Sequence, residues 1–152
     1  MQTMDNSKTD ILLVEDNPFE AKLAIRALTK HNLAERLFHV ADGAEALDFI
    51  FARENYEYRS SRNFPKIILL DLKLPKINGL EVVKLLKENA LTKAIPIVIL
   101  TASNQEKDIK TGYEMGVNSY IVKPVDFTSF SKVVTDLGLY WTLLNQTIDS
   151  VG

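Results

Sequence analysis

Short apolar segments alternate along the chain with longer segments whose apolar residues recur at helical spacing. Five of the short segments are rich in β-branched residues, and they span residues 10–15, 37–41, 66–71, 95–101 and 119–122. The first, third and fourth are almost continuously apolar, which is typical of strands that helices cover on both faces of a parallel sheet. The pattern therefore predicts five β–α units in one sheet, with right-handed crossovers that place helices on both faces.

Several of the intervening segments begin with residues that favour the N-terminus of a helix. Such starts occur at Asn17-Pro18, Asn78-Gly79, Ser103 (with Glu106 in a capping box) and Asp126. The segment 53–65 is the one long stretch without helical or strand periodicity, and it is rich in Arg, Tyr and Ser. We expect a surface loop there.

The composition fits one globular domain and excludes several kinds of chemistry. The chain has 152 residues, of which 46% are hydrophobic and 25% are charged, and it has no cysteine. The absence of cysteine excludes disulfides, zinc–thiolate sites and thiol nucleophiles. A net charge of −2 gives no bulk attraction to nucleic acid or anionic lipid, and no apolar run could span a bilayer. We expect a cytoplasmic domain over residues 10–148, after a flexible arm over residues 1–9, that binds neither nucleic acid nor membrane.

Three carboxylates lie at the predicted strand ends. Glu15 and Asp16 close the first strand and Asp71 closes the third, and the carboxyl ends of parallel strands meet at one edge of a sheet. Without a counter-ion, each close pair would repel by about 4 kcal/mol at an effective dielectric of about 20. A set of oxygen ligands without His or Cys favours Mg²⁺. The sequence therefore predicts a magnesium site at this edge.

Two further polar residues belong to the same edge. Thr101 ends the fourth strand and offers a hydroxyl donor, and Lys123 follows the fifth strand with a compact charge that can meet a phosphate oxygen. A carboxylate nucleophile, a divalent cation, a lysine and a hydroxyl are the parts that phosphoryl transfer to Asp71 requires.

The chain resembles the receiver domains of two-component response regulators from residue 11 to about residue 144. The matching motifs are ILLVEDNP (11–18), ADGAEAL (41–47), PKIILLDLKLPKINGLEV (65–82), IPIVILTAS (95–103) and GVNSYIVKPVD (116–126). The resemblance implies a doubly wound, flavodoxin-like α/β fold with strand order 2-1-3-4-5 and five helices. It also implies reversible phosphorylation of Asp71 by a sensor histidine kinase. The tail and the long loop are similar to those of single-domain regulators associated with bacterial phytochromes.

The resemblance also implies a ligand set for the cation. Asp16, Asp71 and the backbone carbonyl of Lys73 would hold Mg²⁺, and Glu15 would act largely through water.

Other site residues would contact or sense the phosphoryl group. Thr101 and Lys123 would contact it, and the peptide bond between Lys123 and Pro124 would be cis. Tyr120 would turn inward as Thr101 is drawn to the phosphoryl group, and the change would pass to the fifth strand and the last helices.

The last segment carries more apolar surface than a domain of this size can cover. Its apolar residues recur at alternating steps of three and four over residues 127–148, which predicts a single helix with one stripe that includes Trp141. Residues 137–144 are apolar nearly all round, so part of this surface remains exposed. We predict a two-fold homodimer through this helix, with Leu137, Tyr140, Trp141 and Leu144 at the interface.

Two other functions share parts of this site. A Mg²⁺-dependent phosphatase or phosphotransferase of the haloacid-dehalogenase type, working through an aspartyl-phosphate, would carry a second Asp two residues after the nucleophile, where this chain has Lys73. A degenerate receiver acting as a constitutive interaction module would lack the acceptor, the acidic pair or the lysine, and all are present. We therefore predict a stand-alone response regulator that catalyses only its own phosphoryl transfer and dephosphorylation and signals through protein contacts.

Overall fold

The computed structural model of the chain describes residues 9–60, 63–102 and 106–144. Its five strands are β1 (Ile11–Val14), β2 (Leu37–Val40), β3 (Ile67–Asp71), β4 (Ile97–Thr101) and β5 (Ser119–Val122). They form one sheet in the order β2-β1-β3-β4-β5, and all four neighbouring pairs are parallel. The predicted doubly wound fold is confirmed. Each strand lies within its predicted segment, and its bounds differ from the predicted ones by at most two residues.

Six α-helices lie in the described part of the chain. They are α1 (Pro18–Thr29), α2 (Gly43–Ile50), α3 (Gly79–Glu88), α4 (Glu106–Glu114), α5 (Phe127–Asp136) and α6 (Tyr140–Leu143). The predicted helix starts at Asn17, Asn78 and Asp126 are confirmed, because each of these side chains accepts a hydrogen bond from a backbone N–H of the first turn. The predicted capping box at Ser103 lies outside the described residues.

The prediction of one final helix over residues 127–148 is wrong, and so is the count of five helices. The helix α5 ends at Asp136, and Gly138 has a φ of +75°, a left-handed conformation that favours glycine and ends helices. The break changes the direction of the following turn, so that Leu143 is 1% exposed and Trp141 is 70% exposed. The predicted stripe contained Trp141 and not Leu143. Residues 145–148 lie outside the described residues.

Helices cover both faces of the sheet, as the continuous apolar strands predicted. On β1, the side chains of Leu12 and Val14 belong to the core cluster that includes residues of α2 and α3. Ile11 and Leu13 belong to the opposite cluster, with residues of α1, α5 and α6. Because β1 is buried at every position, both of its faces need apolar side chains.

Two peripheral segments complete the fold. The loop after α2 contains a 3-10 turn at Glu54–Tyr56 and is held by the buried Arg59, whose guanidinium lies 3.7 Å from the ring centroid of Phe49. Thr9, which the predicted arm includes, is buried beside β1, and the rest of the arm lies outside the described residues. None of the helices in the described part of the chain has the length and hydropathy that a bilayer span requires.

Candidate functional site

The strand ends bring the predicted acidic residues together. Carboxylate oxygens of Glu15, Asp16 and Asp71 lie within 4.8 Å of one another. Asp71 is the last residue of β3, and the other two follow β1, which is its neighbour in the sheet. Glu15 and Asp71 are buried and Asp16 is exposed. The cluster therefore has a buried floor and an open side that faces solvent.

Lys123 lies among these carboxylates. Its Nζ is 2.9 Å from Oε1 of Glu15, 3.0 Å from Oδ2 of Asp71 and 3.1 Å from Oε2 of Glu20. The lysine side chain is only 11% exposed, so these ion pairs are poorly screened by water. The ammonium group therefore offsets part of the repulsion among the carboxylates.

Glu20 is a member of this site that the sequence motifs do not single out. It lies in the first turn of α1, and its backbone N–H donates to Oδ1 of Asn17 over 3.1 Å. The one sequence signal for Glu20 is its place in the chain. The helix that follows β1 begins at the edge where the strands end, so a side chain in its first turn lies near that edge. An acidic residue there also suits the positive end of the helix dipole.

The backbone around Asp71 is fixed by close packing. The N–H of Lys73 donates to Oδ1 of Asp71 over 3.1 Å, and the N–H of Gly79 donates to the carbonyl of Leu72 over 2.8 Å. A Cβ on Gly79 would lie 2.5 Å from the Cα of Leu72 and 2.6 Å from the carbonyl oxygen of Asp71. Only glycine therefore lets α3 begin against the end of β3.

The burial of the site shifts the protonation of its charged groups. Burial raises the pKa of Glu15 to about 7; the hydrogen bond from Lys123 opposes this shift, and the neighbouring carboxylate of Asp71 adds to it. Burial alone lowers the pKa of Lys123, but its hydrogen bonds to Glu15 and Asp71 outweigh burial and raise the pKa above its ordinary value. Lys123 is therefore a fixed positive charge at neutral pH.

A cavity of about 80 Å³ opens beside Asp71. Thr101 and Lys123 line it together with Leu72, Lys73, Leu100 and Ala102. Thr101 is the last residue of β4 and is buried. The cavity has room for several water molecules, and its polar lining places a hydroxyl and an ammonium group near the Asp71 carboxylate.

The remaining predicted residues lie at the edge of this site or far from it. The Lys123–Pro124 peptide bond is cis. Tyr120 is half-buried on β5, with its ring centroid 6.3 Å from that of Tyr113 on α4. Tyr140 and Trp141 are 40% and 70% exposed and pack edge to face against each other.

The structure places the other two interface candidates differently. Leu137 and Leu144 are partly buried and pack against the core cluster that α5 and α6 share with the sheet. The exposed apolar surface of this region therefore consists mainly of the two aromatic side chains.

Comparisons with known proteins agree with the fold. The family model described as the response regulator receiver domain matches residues 11–135. Rcp1, a response regulator of Synechocystis sp., is 36% identical over 141 residues, which cover 93% of this chain and 94% of Rcp1. The crystal structure of its Mn²⁺-bound form matches with a TM-score of 0.69, over 86% of this chain and 92% of the other.

Two further solved structures are regulators linked to phytochromes. The bacteriophytochrome response regulator AtBRR is 47% identical with a TM-score of 0.80, over 89% of this chain and 96% of AtBRR. The phosphorylated cyanobacterial phytochrome response regulator RcpA is 35% identical with a TM-score of 0.70, over 87% of this chain and 92% of RcpA. With the family match over most of its length, this chain belongs to the response regulator receiver domain family of two-component signalling proteins.

Proposed function

We propose that this protein is a response regulator switched by phosphorylation of Asp71 by a sensor histidine kinase, through a receiver domain over residues 10–148. The observation that carries the proposal is the distance of 3.0 Å between the ammonium nitrogen of Lys123 and Oδ2 of Asp71, beside a cavity that Thr101 also lines. An acceptor carboxylate, a lysine and a hydroxyl at one opening are the groups that phosphoryl transfer requires.

Asp71, Lys123 and Thr101 have different roles in the phosphoryl transfer. A carboxylate oxygen of Asp71 forms the new bond to phosphorus as the bond from phosphorus to the imidazole nitrogen of the kinase histidine breaks. The imidazole leaves with the electron pair of that bond. Lys123 then donates to one phosphoryl oxygen and the hydroxyl of Thr101 to another, which stabilises the negative charge on these oxygens.

The donor set fits Mg²⁺. The cluster consists of three carboxylates, with no His or Cys among them, and a hard cation prefers oxygen ligands of this kind. Asp16, Asp71 and the backbone carbonyl of Lys73 would hold it, with Glu15 acting through water. A bound cation would supply further positive charge next to the phosphoryl oxygens. The Mn²⁺-bound form of Rcp1 supports a divalent ion here.

The proposed output is a change at the surface of β5 and α5. Thr101 lies opposite Val122 in the pairing of β4 with β5, and Tyr120 lies opposite Ile99 in the same ladder. A shift of Thr101 toward the phosphoryl group would therefore act on the strand that carries Tyr120. The similarity to AtBRR and RcpA supports a phytochrome-type kinase as the source of the signal.

We further propose that the protein forms a homodimer through its last helical turn. Trp141 is 70% exposed and Tyr140 is 40% exposed on adjacent positions of α6, and Leu137 and Leu144 flank them. Large exposed aromatic residues side by side are typical of the central contacts of protein interfaces.

Phosphorylation by a small phosphodonor tests the main proposal. The wild-type protein, incubated with acetyl phosphate and Mg²⁺, should gain the mass of one phosphoryl group in an intact-mass spectrum. The Asp71→Asn variant should gain none, and neither should the wild-type protein with a chelator in place of Mg²⁺. A mass gain in Asp71→Asn equal to that of the wild type would contradict the proposal.

A further inference from the structure

One partner of Lys123 lies outside the carboxylate cluster. Glu15 and Asp71 belong to that cluster, whereas Glu20 comes from the first turn of α1. Its Oε2 lies 3.1 Å from the lysine nitrogen, and its side chain is 32% exposed against 11% for the lysine. An ammonium group has three N–H donors, so the three carboxylates match the full donor capacity of Lys123.

Phosphoryl transfer would change two of these contacts and leave the third. The donor that points to Asp71 would turn to a phosphoryl oxygen, and Glu15 would share its charge with a cation bound at the cluster. Glu20 would remain as a carboxylate dedicated to the ammonium group. A lysine carries its charge on a flexible four-carbon stem, so a fixed partner determines where that charge lies.

We propose that Glu20 is a positioning residue that holds the ammonium group of Lys123 at the opening beside Asp71 during phosphoryl transfer. This inference rests on the function proposed above. The backbone of Glu20 is suited to the role, because its N–H is bonded to the Asn17 side chain. The N–H of Asn17 in turn donates to Oε2 of Glu15 over 3.2 Å. The anchor of Lys123 is therefore tied to the acidic cluster itself.

Two substitutions of Glu20 test this role through the rate of phosphorylation by acetyl phosphate. Glu20→Ala should lower the initial rate by about fivefold, the size expected for a charged contact that is partly screened by solvent. Glu20→Gln should lower the rate by a smaller factor, since its amide oxygen still accepts a hydrogen bond from Lys123. The affinity for Mn²⁺, measured by electron paramagnetic resonance, should fall by a smaller factor than the rate, because Glu20 is not one of the clustered carboxylates.

A matched control removes an unrelated carboxylate–lysine pair. Asp136→Asn changes the net charge by the same amount and breaks the exposed pair in which Lys132 lies 2.9 Å from Asp136 on α5. We expect its phosphorylation rate to equal that of the wild type. The decisive comparison is made in the Lys123→Ala background, where Glu20→Ala should have no further effect if it acts through Lys123.

Different failures overturn different statements. A wild-type phosphorylation rate in Glu20→Ala would overturn the positioning role. The role would also be overturned if Glu20→Ala lowered the rate by the same factor in the wild-type and Lys123→Ala backgrounds. A loss of Mn²⁺ affinity as large as the loss of rate would also overturn it, by making Glu20 part of the metal site. A wild-type protein that gains no mass would overturn the proposed function together with this inference.

Discussion

The ammonium nitrogen of Lys123 lies 2.9 Å from Oε1 of Glu15, although 108 positions separate the two residues in the chain. Both side chains are nearly inaccessible to solvent, at 11% and 2% exposure. The contact joins the end of β1 to the residue after β5, so it crosses the carboxyl edge of the sheet. It also explains how the protein tolerates clustered carboxylates, because the lysine supplies a positive charge inside the cluster.

Removal of this lysine should destabilise the metal-free protein. Lys123→Ala leaves buried carboxylates without their counter-ion, and we expect the free energy of unfolding to fall by about 3 kcal/mol. Urea denaturation in the presence of a chelator measures the change. The matched control is Lys132→Ala, which breaks a pair exposed at 77% and 59% and should leave stability almost unchanged, because water screens an exposed ion pair. Equal effects of the two substitutions would contradict this account of the cluster.

The raised pKa of Glu15 predicts a pH dependence of the metal-free protein. Its folded-state pKa is about 7 against an ordinary value of 4.5, so the folded state binds the proton more tightly than the unfolded state. The stabilisation from this group is therefore complete below about pH 4.5 and is lost as the pH rises toward about 7. Thermal denaturation of the wild type with a chelator should show this loss, and Glu15→Gln should lack it. Parallel profiles for the two proteins would contradict the assignment to Glu15.

The same group predicts how metal affinity depends on pH. A cation and a proton compete for the carboxylate of Glu15, so the affinity for Mg²⁺ should rise as the pH increases through about 7. Calorimetric titrations in buffers of different ionisation enthalpy should detect proton release on binding near that pH. Metal binding without proton release would show that Glu15 is already ionised.

The packing of Gly79 predicts a link between the start of α3 and the acceptor. Gly79→Ala would place a Cβ 2.5 Å from the Cα of Leu72, and we expect a loss of about 2 kcal/mol in stability and a slower phosphorylation of Asp71. Gly138→Ala serves as the control, because its added Cβ would lie more than 4 Å from every described residue other than its chain neighbours and the strain arises only from its φ of +75°. Gly138→Ala should lower the free energy of unfolding by about 1 kcal/mol without changing the phosphorylation rate. Equal phosphorylation rates in the two variants would contradict the link.

The exposed aromatic pair on α6 predicts the assembly state. Trp141→Ala should convert a dimer into a monomer, because it removes the most exposed aromatic side chain of that region. Light scattering after size-exclusion chromatography gives the mass of each form. Phe19→Ala removes an aromatic side chain of similar exposure, 68%, from the start of α1 and should leave the dimer intact. A monomeric wild-type protein at high concentration would contradict the dimer.

The elements that were predicted correctly are those that depend on a local sequence pattern and on burial. The segments that became β1, β3 and β4 were recognisable because a strand covered on both faces needs apolar residues at every position. Asn17, Asn78 and Asp126 were recognisable as caps because a capping side chain bonds within its own first turn. The grouping of Glu15, Asp16 and Asp71 follows from the geometry of parallel strands.

The number of strands, the class of the sheet and the edge at which its acidic residues meet could all be predicted from the sequence, since each depends on short-range periodicity and strand direction. The contact of Glu20 with Lys123 and the burial of Leu143 in place of Trp141 became visible only in the folded chain. The first contact forms between segments about a hundred positions apart. The second follows from a single left-handed residue, Gly138, which interrupts a helical pattern without disturbing its apolar composition.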